Sequence, residues 1–85
     1  MGWWVYILHS TRFNRYYIGQ SSDPWRRLSF HNTIEKGFTS RYRPWDIVYT
    51  KECATREEAV LIEQKLKSWK SRKLLEEVIR GHIVL

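Results

Sequence analysis

One cysteine and four glycines occur in the 85 residues of this sequence, and acidic residues number nine against fifteen Lys and Arg. A single thiol cannot close an internal disulfide, which excludes a small bridge-stapled scaffold. Cys53 reads as a buried strand residue rather than a nucleophile, and a reducing cytoplasm is the expected compartment. The few glycines form no Gly-rich phosphate loop, and no Ser nucleophile elbow occurs. His9 and His82 lack a partner spacing for a metal site, and there is no Cys/His zinc pattern. No apolar run approaches the roughly 20 residues that cross a bilayer, so no membrane span is expected. The opening Met1-Gly2-Trp3-Trp4 has neither a basic region nor a small-residue cleavage site, and nothing in it suggests export. Internal repeats, low-complexity tracts and linkers are absent too, and the expectation is one domain over 1–85.

What is present points elsewhere. The excess of bases gives a formal net charge of +6. On so small a body that favours a polyanionic partner, because bound phosphates release condensed counterions. Nucleic acid, an anionic membrane surface and a merely soluble basic protein all remain compatible with charge alone. A domain of this length buries only about 60–65% of its unfolded surface. Five Trp, five Tyr and three Phe supply much of the apolar area that its small core needs. With 42% hydrophobic and 28% charged residues, the chain reads as globular.

Along the chain, Trp3 to His9 is a β-prone run of aromatic and branched residues, and Tyr16 to Gln20 is a second. A turn around Asn14 joins them as a hairpin. Asp23 and Pro24 read as N-cap and first position of a helix ending near Asn32. Residues 33–44 are polar and basic and read as a loop carrying Gly37. Asp46 to Cys53 is a third strand. Thr55-Arg56-Glu57-Glu58 matches a capping box and opens a helix whose stripe is Ala59, Ile62, Leu66 and Trp69. Ser71 caps a last helix running through Arg80 and stopped by Gly81. The order is β-β-α-β-α-α, an α+β layer in which a small antiparallel sheet carries helices.

Several polar residues stand where chemistry could use them, each with an ordinary alternative. Glu63 lies close to the apolar stripe, where a carboxylate is costly to desolvate unless it meets a cation or metal. It could equally sit at the stripe's edge, paired with Lys67 one turn on. Asp23, Arg27 and His31 follow at intervals of four and share one helix face. They suit a phosphate cradle, since Arg matches phosphate oxygens bidentately, or a solvated face in which Asp23 pairs with Arg27. Tyr6 and Tyr17 lie on the two hairpin arms, as buried aromatics or as hydroxyls converging on a substrate. With an ordinary pKa of about 10, a tyrosine base would need a positive neighbour. Gly19 removes a side chain from the same strand, for tight packing or for approach of a phosphate. Thr39, Arg41, Tyr42, Arg43 and Trp45 interleave aromatics with bases, as nucleic-acid contacts do and as anchored surface loops also do. Lys67 and Lys70 belong to a basic run that either solubilises the surface or tracks a phosphate backbone.

Trp4-Val5-Tyr6 followed by Tyr17-Ile18-Gly19 resembles the two half-motifs that name the GIY-YIG nuclease family. Trp and Val replace Gly and Ile in the first half; the second is intact. The similarity continues through DPWRRLSFHN (23–32), Arg43-Pro44-Trp45, Val48-Tyr49, Ala59 with Glu63 and Lys67, and Lys70-Ser71-Arg72-Lys73. In order and spacing these motifs resemble the short single-domain bacterial members along nearly the whole chain.

The resemblance implies a three-stranded antiparallel sheet flanked by helices and a metal-dependent endonuclease acting on DNA, branched or damaged DNA included. It implies roles as well. Tyr17 or Tyr6 would activate water while the other positions it. Arg27 would neutralise charge growing on the phosphate, and His31 would bind the phosphate or assist proton transfer. Glu63 would hold one Mg²⁺ or Mn²⁺. Gly19, Thr39, Arg41, Arg43, Lys67 and Lys70 are the expected nucleic-acid contacts. Larger members often carry an Asn downstream of the metal-binding Glu, and none follows Glu63 here. Those members draw target choice from an attached domain or partner, so sequence specificity is expected to be weak for this chain unless a protein partner supplies it. A nucleic-acid-binding module of the same fold without catalysis is the alternative, and a basic protein–protein adaptor is a third.

Overall fold

The computed structural model describes residues 2–34 and 36–85. Its organising element is β1 (Trp3–Ser10), which pairs antiparallel with both β2 (Arg15–Ser21) and β3 (Asp46–Cys53), giving the sheet order β2-β1-β3. As the central strand β1 must be apolar on both faces, and that is why Val5, Tyr6, Ile7 and Leu8 run without a polar break and are all buried. Strand alternation then divides them. Val5 and Ile7 join a core with Cys53, Ala59, Leu66, Leu75 and Val78, under α3 (Arg56–Trp69) and α4 (Arg72–Ile79). Tyr6 and Leu8 join Trp45 on the opposite face, where Leu28 of α1 (Pro24–Thr33) covers them. The sheet is therefore sandwiched between two helical layers, an α+β architecture as the sequence implies.

The helix starts follow their capping residues. The Asp23 carboxylate accepts from the Arg26 N–H at 3.1 Å, with Pro24 in the first turn. Thr55 Oγ1 accepts from the Glu58 N–H and Ser71 Oγ from the Leu74 N–H, each at 3.2 Å. Each such cap contributes about 1 kcal/mol. Asn14 adopts φ 52° in the hairpin turn, a left-handed conformation that Asn tolerates well. The turn is held from outside: Arg72 Nη2 donates to the Asn14 carbonyl at 2.9 Å, and the Tyr16 hydroxyl donates to Glu76 at 3.0 Å. Gly81, at φ 82°, follows the last helix as its sequence position indicates. Cys53 is 2% exposed at the end of β3. Burial, reinforced by the Glu58 charge, pushes its thiol above the usual pKa, as befits a packed side chain rather than a nucleophile.

One element departs from expectation. The segment read as a loop over 33–44 contains a single helical turn, α2 (Phe38–Arg41), entered through Gly37 at φ 90°. Four residues are too few to show a helical period in sequence. The turn is held by side-chain bonds instead: Trp45 Nε1, from beyond the turn, donates to the Thr39 carbonyl at 2.8 Å, and Ser40 Oγ, within it, donates to the Gly37 carbonyl at 2.7 Å.

Candidate active site

Tyr6 stands directly opposite Gly19 in the β1–β2 ladder. The space left by the missing side chain is filled by the tyrosine ring: a Cβ at Gly19 would lie 2.5 Å from Tyr6 Oη and 3.1 Å from Tyr17 Cε2. Of the two readings open for Gly19, tight packing describes its surroundings. Tyr17, two residues earlier on the same strand, faces the same side, with its ring centroid 6.4 Å from that of Tyr6.

Helix α1 lies across this face and delivers His31 from its last turn. His31 is 1% exposed, and its Nε2 is 3.1 Å from the Tyr6 hydroxyl. Its ring centroid is 4.7 Å from that of Tyr17, so the imidazole bridges the two tyrosines. Arg27, one turn earlier, hydrogen-bonds to the Tyr6 hydroxyl as well. Burial is the main cause of a Tyr6 pKa pushed up to about 12. The Tyr17 and Glu63 charges push the same way, and the Arg27 hydrogen bond and charge oppose them. At neutral pH Tyr6 is therefore a protonated phenol.

Glu63 comes from the other helical layer, on α3, which packs against β1 and β2. Its side chain is 16% exposed, and its Oε2 accepts from Lys67 Nζ at 2.8 Å. The ordinary pairing weighed for Glu63 is thus present, and the carboxylate still lies close enough for its charge to act on Tyr6. Tyr6, Tyr17, Arg27, His31 and Glu63, supplied by β1, β2, α1 and α3, converge on one region.

The expected nucleic-acid contacts divide. Arg41 and Lys70 are exposed, and Lys70 closes α3 with φ 48°. Arg43 turns inward, its Nε donating to the His31 carbonyl at 2.6 Å, where it fixes the end of α1. Thr39 is buried at 3% exposure, under the Trp45 bond to its carbonyl. Asn32 has a role that the sequence reading assigned to no residue. Its amide is clamped to the Trp45 backbone in both directions, accepting from the N–H at 2.7 Å and donating to the carbonyl at 3.0 Å. An Asn in the last turn before a returning loop was the available signal, since an amide can satisfy both backbone groups of one residue.

No group of three or more His, Cys, Asp or Glu able to hold a metal occurs among the described residues. A divalent ion would take one protein carboxylate, Glu63, with water and substrate completing its shell. That donor set fits Mg²⁺, which keeps several waters and accepts one or two carboxylates. It does not fit a dedicated all-protein cage. No described helix is long and apolar enough to cross a membrane.

Residues 2–76 match the GIY-YIG catalytic domain. A UPF0213 protein of Streptococcus pneumoniae is 36% identical over 77 residues, covering 89% of this chain and 76% of that protein. The structure-specific endonuclease subunit SLX1 of Podospora anserina is 52% identical over 50 residues, which is 52% of this chain but 14% of that subunit. The solution structure of a UPF0213 protein from Bacillus halodurans superposes with a TM-score of 0.59 at 27% identity, over 94% of this chain and 84% of that one. The two departures in the first half-motif lie outside the constellation: Val5 is buried in the α3 core, and Trp4 meets Trp25 edge-on at 5.6 Å. With the match running through both half-motifs and through the helices carrying Arg27, His31 and Glu63, the chain belongs to the GIY-YIG nuclease family.

Proposed function

We infer that the protein is a divalent-metal-dependent endonuclease that hydrolyses phosphodiester bonds in DNA, with Tyr6, Tyr17, Arg27, His31 and Glu63 as its working residues. The observation that carries this is their convergence from four separate elements around the Tyr6–His31 hydrogen bond. Phosphoryl transfer asks a protein mainly for alignment and for neutralisation of charge, which a guanidinium beside oriented hydroxyls supports. Arg27 neutralises charge growing on the phosphate oxygens. Two routes for the proton of the attacking water are chemically complete. In one, Tyr17, the half-buried ring, takes it as a phenolate whose own proton has first gone to solvent, while the Tyr6 hydroxyl holds the water. In the other, Tyr6 takes it and passes its own proton to His31 Nε2, 3.1 Å away, so that no free phenolate forms in a buried place. Glu63 would hold Mg²⁺ or Mn²⁺; when bound, the ion supplies positive charge beside the leaving 3′-oxygen.

DNA is the proposed substrate, branched or damaged forms included, in the cytoplasm. The SLX1 relative is named as a subunit of a structure-specific endonuclease, which supports a protein partner as the source of target choice here. The second reading is a nucleic-acid-binding module without turnover. The Lys67 ammonium already seated on Glu63 and the high Tyr6 pKa are what favour it.

The deciding experiment is cleavage of labelled duplex, single-stranded and branched DNA in Mg²⁺, Mn²⁺ or EDTA, with Glu63→Gln alongside. The expected result is metal-dependent cleavage in the wild type and a loss of about 10²-fold or more in the variant. The variant should keep its fold, since Gln preserves the shape of Glu63 and the Lys67 ammonium it leaves is 53% exposed to water. Full metal-dependent activity in Glu63→Gln would remove that carboxylate from the mechanism. Salt-sensitive binding without cleavage would favour the module.

A further inference from the structure

A basic groove of about 430 Å³ opens between β2 and the α3–α4 junction, with Arg15, Tyr17, Phe38, Lys67, Lys70 and Arg72 among its walls. It starts at two residues of the candidate active site's surroundings, Tyr17 and Lys67, and leads outward. At its rim stand aromatic rings that the five working residues do not use. Phe38 and Phe13 are 47% and 42% exposed, and both lean on Tyr42, with centroids 4.9 Å and 5.5 Å from its ring. Guanidinium groups flank them: Arg15 lies 5.1 Å over the Tyr42 ring and Arg12 lies 5.3 Å over that of Phe13. The rings also run inward without a break, since Phe38 meets Trp45 at 6.2 Å and Trp45 meets Tyr17 at 6.4 Å.

Two features of this surface limit what it can take. Glu76 pairs with Arg72 at 3.5 Å and Glu63 with Lys67 at 2.8 Å, but segments 11–17, 38–42 and 67–75 themselves contain Lys and Arg and no Asp or Glu, so Arg15 and Lys70 leave the surface with a positive surplus whose complement is an anion. Its walls include the aliphatic side chains of Ile18, Leu66 and Leu75, of which Leu66 and Leu75 are buried, while the exposed apolar groups at its rim are the rings of Phe38 and Phe13, which suit flat aromatic ligands. A duplex presents phosphates but keeps its bases stacked on one another. An unpaired strand presents both phosphates and bare base faces, and aromatic platforms set along a basic groove are how proteins hold it.

We propose that the groove and its Phe13–Tyr42–Phe38 rim form a binding site for an unpaired nucleic-acid strand, with bases stacking on Phe38 and Phe13 and phosphates on Arg15, Lys70 and Arg72. The site deepens the nuclease reading, on which it rests for its purpose: it would draw the strand next to the scissile bond away from its complement and along β2. Selectivity for unpaired or branched substrates would then be built partly into this chain.

Binding is tested apart from cleavage, by fluorescence anisotropy in EDTA. The probes are an oligo-dT strand of about 12 nucleotides, within the site sizes such grooves cover, an abasic strand of equal length, and the matching duplex. Wild-type protein should bind oligo-dT more tightly than either. Phe38→Leu keeps apolar bulk and removes the flat ring; it should weaken oligo-dT binding about tenfold, as the loss of one base–aromatic stack implies, and leave the abasic strand unaffected. Phe38→Trp should restore the affinity. Equal affinity of Phe38→Leu and wild type for oligo-dT would overturn the proposal, as would an abasic strand bound as tightly as oligo-dT. Absence of nucleic-acid binding together with self-association that Phe38→Leu abolishes would overturn it too, and would assign the patch to a second copy of the chain. Intact stacking without metal-dependent cleavage would sink the nuclease reading alone, whereas cleavage that survives without stacking would sink only this site.

Discussion

Gly19 and Tyr6 face each other across the β1–β2 ladder, and the position of one ring depends on the absence of one methyl group. A Cβ at Gly19 would stand 2.5 Å from Tyr6 Oη and 2.6 Å from Cζ, distances that side chains do not tolerate. Relief requires the Tyr6 ring to move, and the ring is 1% exposed and bonded to His31. Gly19→Ala is therefore expected to cost about 1–3 kcal/mol, the usual range for overpacking a core. Cleavage should fall further than stability does, because the displaced hydroxyl leaves both His31 and Arg27. Thermal melting and cleavage rates measured on the same preparation check this. An unchanged melting temperature with unchanged cleavage would mean that the ladder relaxes and that Tyr6 has no required position.

At the scale of elements, the site depends on how α1 is tied to the chain that follows it. Asn32 clamps the Trp45 backbone and Arg43 bonds the His31 carbonyl, so the end of α1 and the approach to β3 hold each other. Asn32→Ala would leave the Trp45 N–H and carbonyl without these partners, at a cost of about 1–3 kcal/mol. The urea midpoint should drop while the unfolding slope stays constant. A midpoint equal to wild type would show that water takes over the clamp. This tie also marks the limit of what the sequence could say. Strands, the three capped helices and the turn at Asn14 were legible because each carries a local signal: β-prone runs, Asp23, Thr55 and Ser71 as caps, Asn in a left-handed turn. The convergence of Tyr6, Tyr17, Arg27 and His31 was legible only through the family resemblance, since no local rule relates residues on β1, β2 and α1. The α2 turn, the inward Arg43 and the buried Thr39 were not legible at all. They depend on where the Trp45 indole comes to lie, and that is fixed by tertiary packing against Leu8 and Tyr6. Phe13 and Phe38 gained meaning in the same way, when the fold set both beside Tyr42.

For the molecule as a whole, burying tyrosines on both sides of one thin sheet couples its stability to alkaline pH. A chain of this length has a stability of roughly 4–13 kcal/mol, so one perturbed group is a noticeable fraction. The Tyr6 pKa is pushed from 10.0 to about 12, chiefly by burial. Below pH 10 both native and unfolded chains keep the proton, and the group has no effect on the balance. As pH rises from about 10 toward 12 the unfolded chain loses the proton while the native one retains it, so unfolding is favoured by up to about 1.4 kcal/mol per pH unit. Stability is thus complete below the unfolded pKa and lost as pH climbs to the folded one. Tyr16 and Tyr49 are raised in the same direction, again mainly by burial, and add to the slope with less weight because they are more exposed. Neutralisation of lysines over the same range acts oppositely, by relieving the self-repulsion of a chain at +6. Tyr6→Phe separates the two effects. It loses the His31 hydrogen bond and starts from a lower stability, yet its urea midpoint should decline less between about pH 9 and pH 11 than that of wild type. Parallel declines would show that Tyr6 ionises as an exposed phenol does, and the buried, protonated Tyr6 from which both proton routes start would have to be given up.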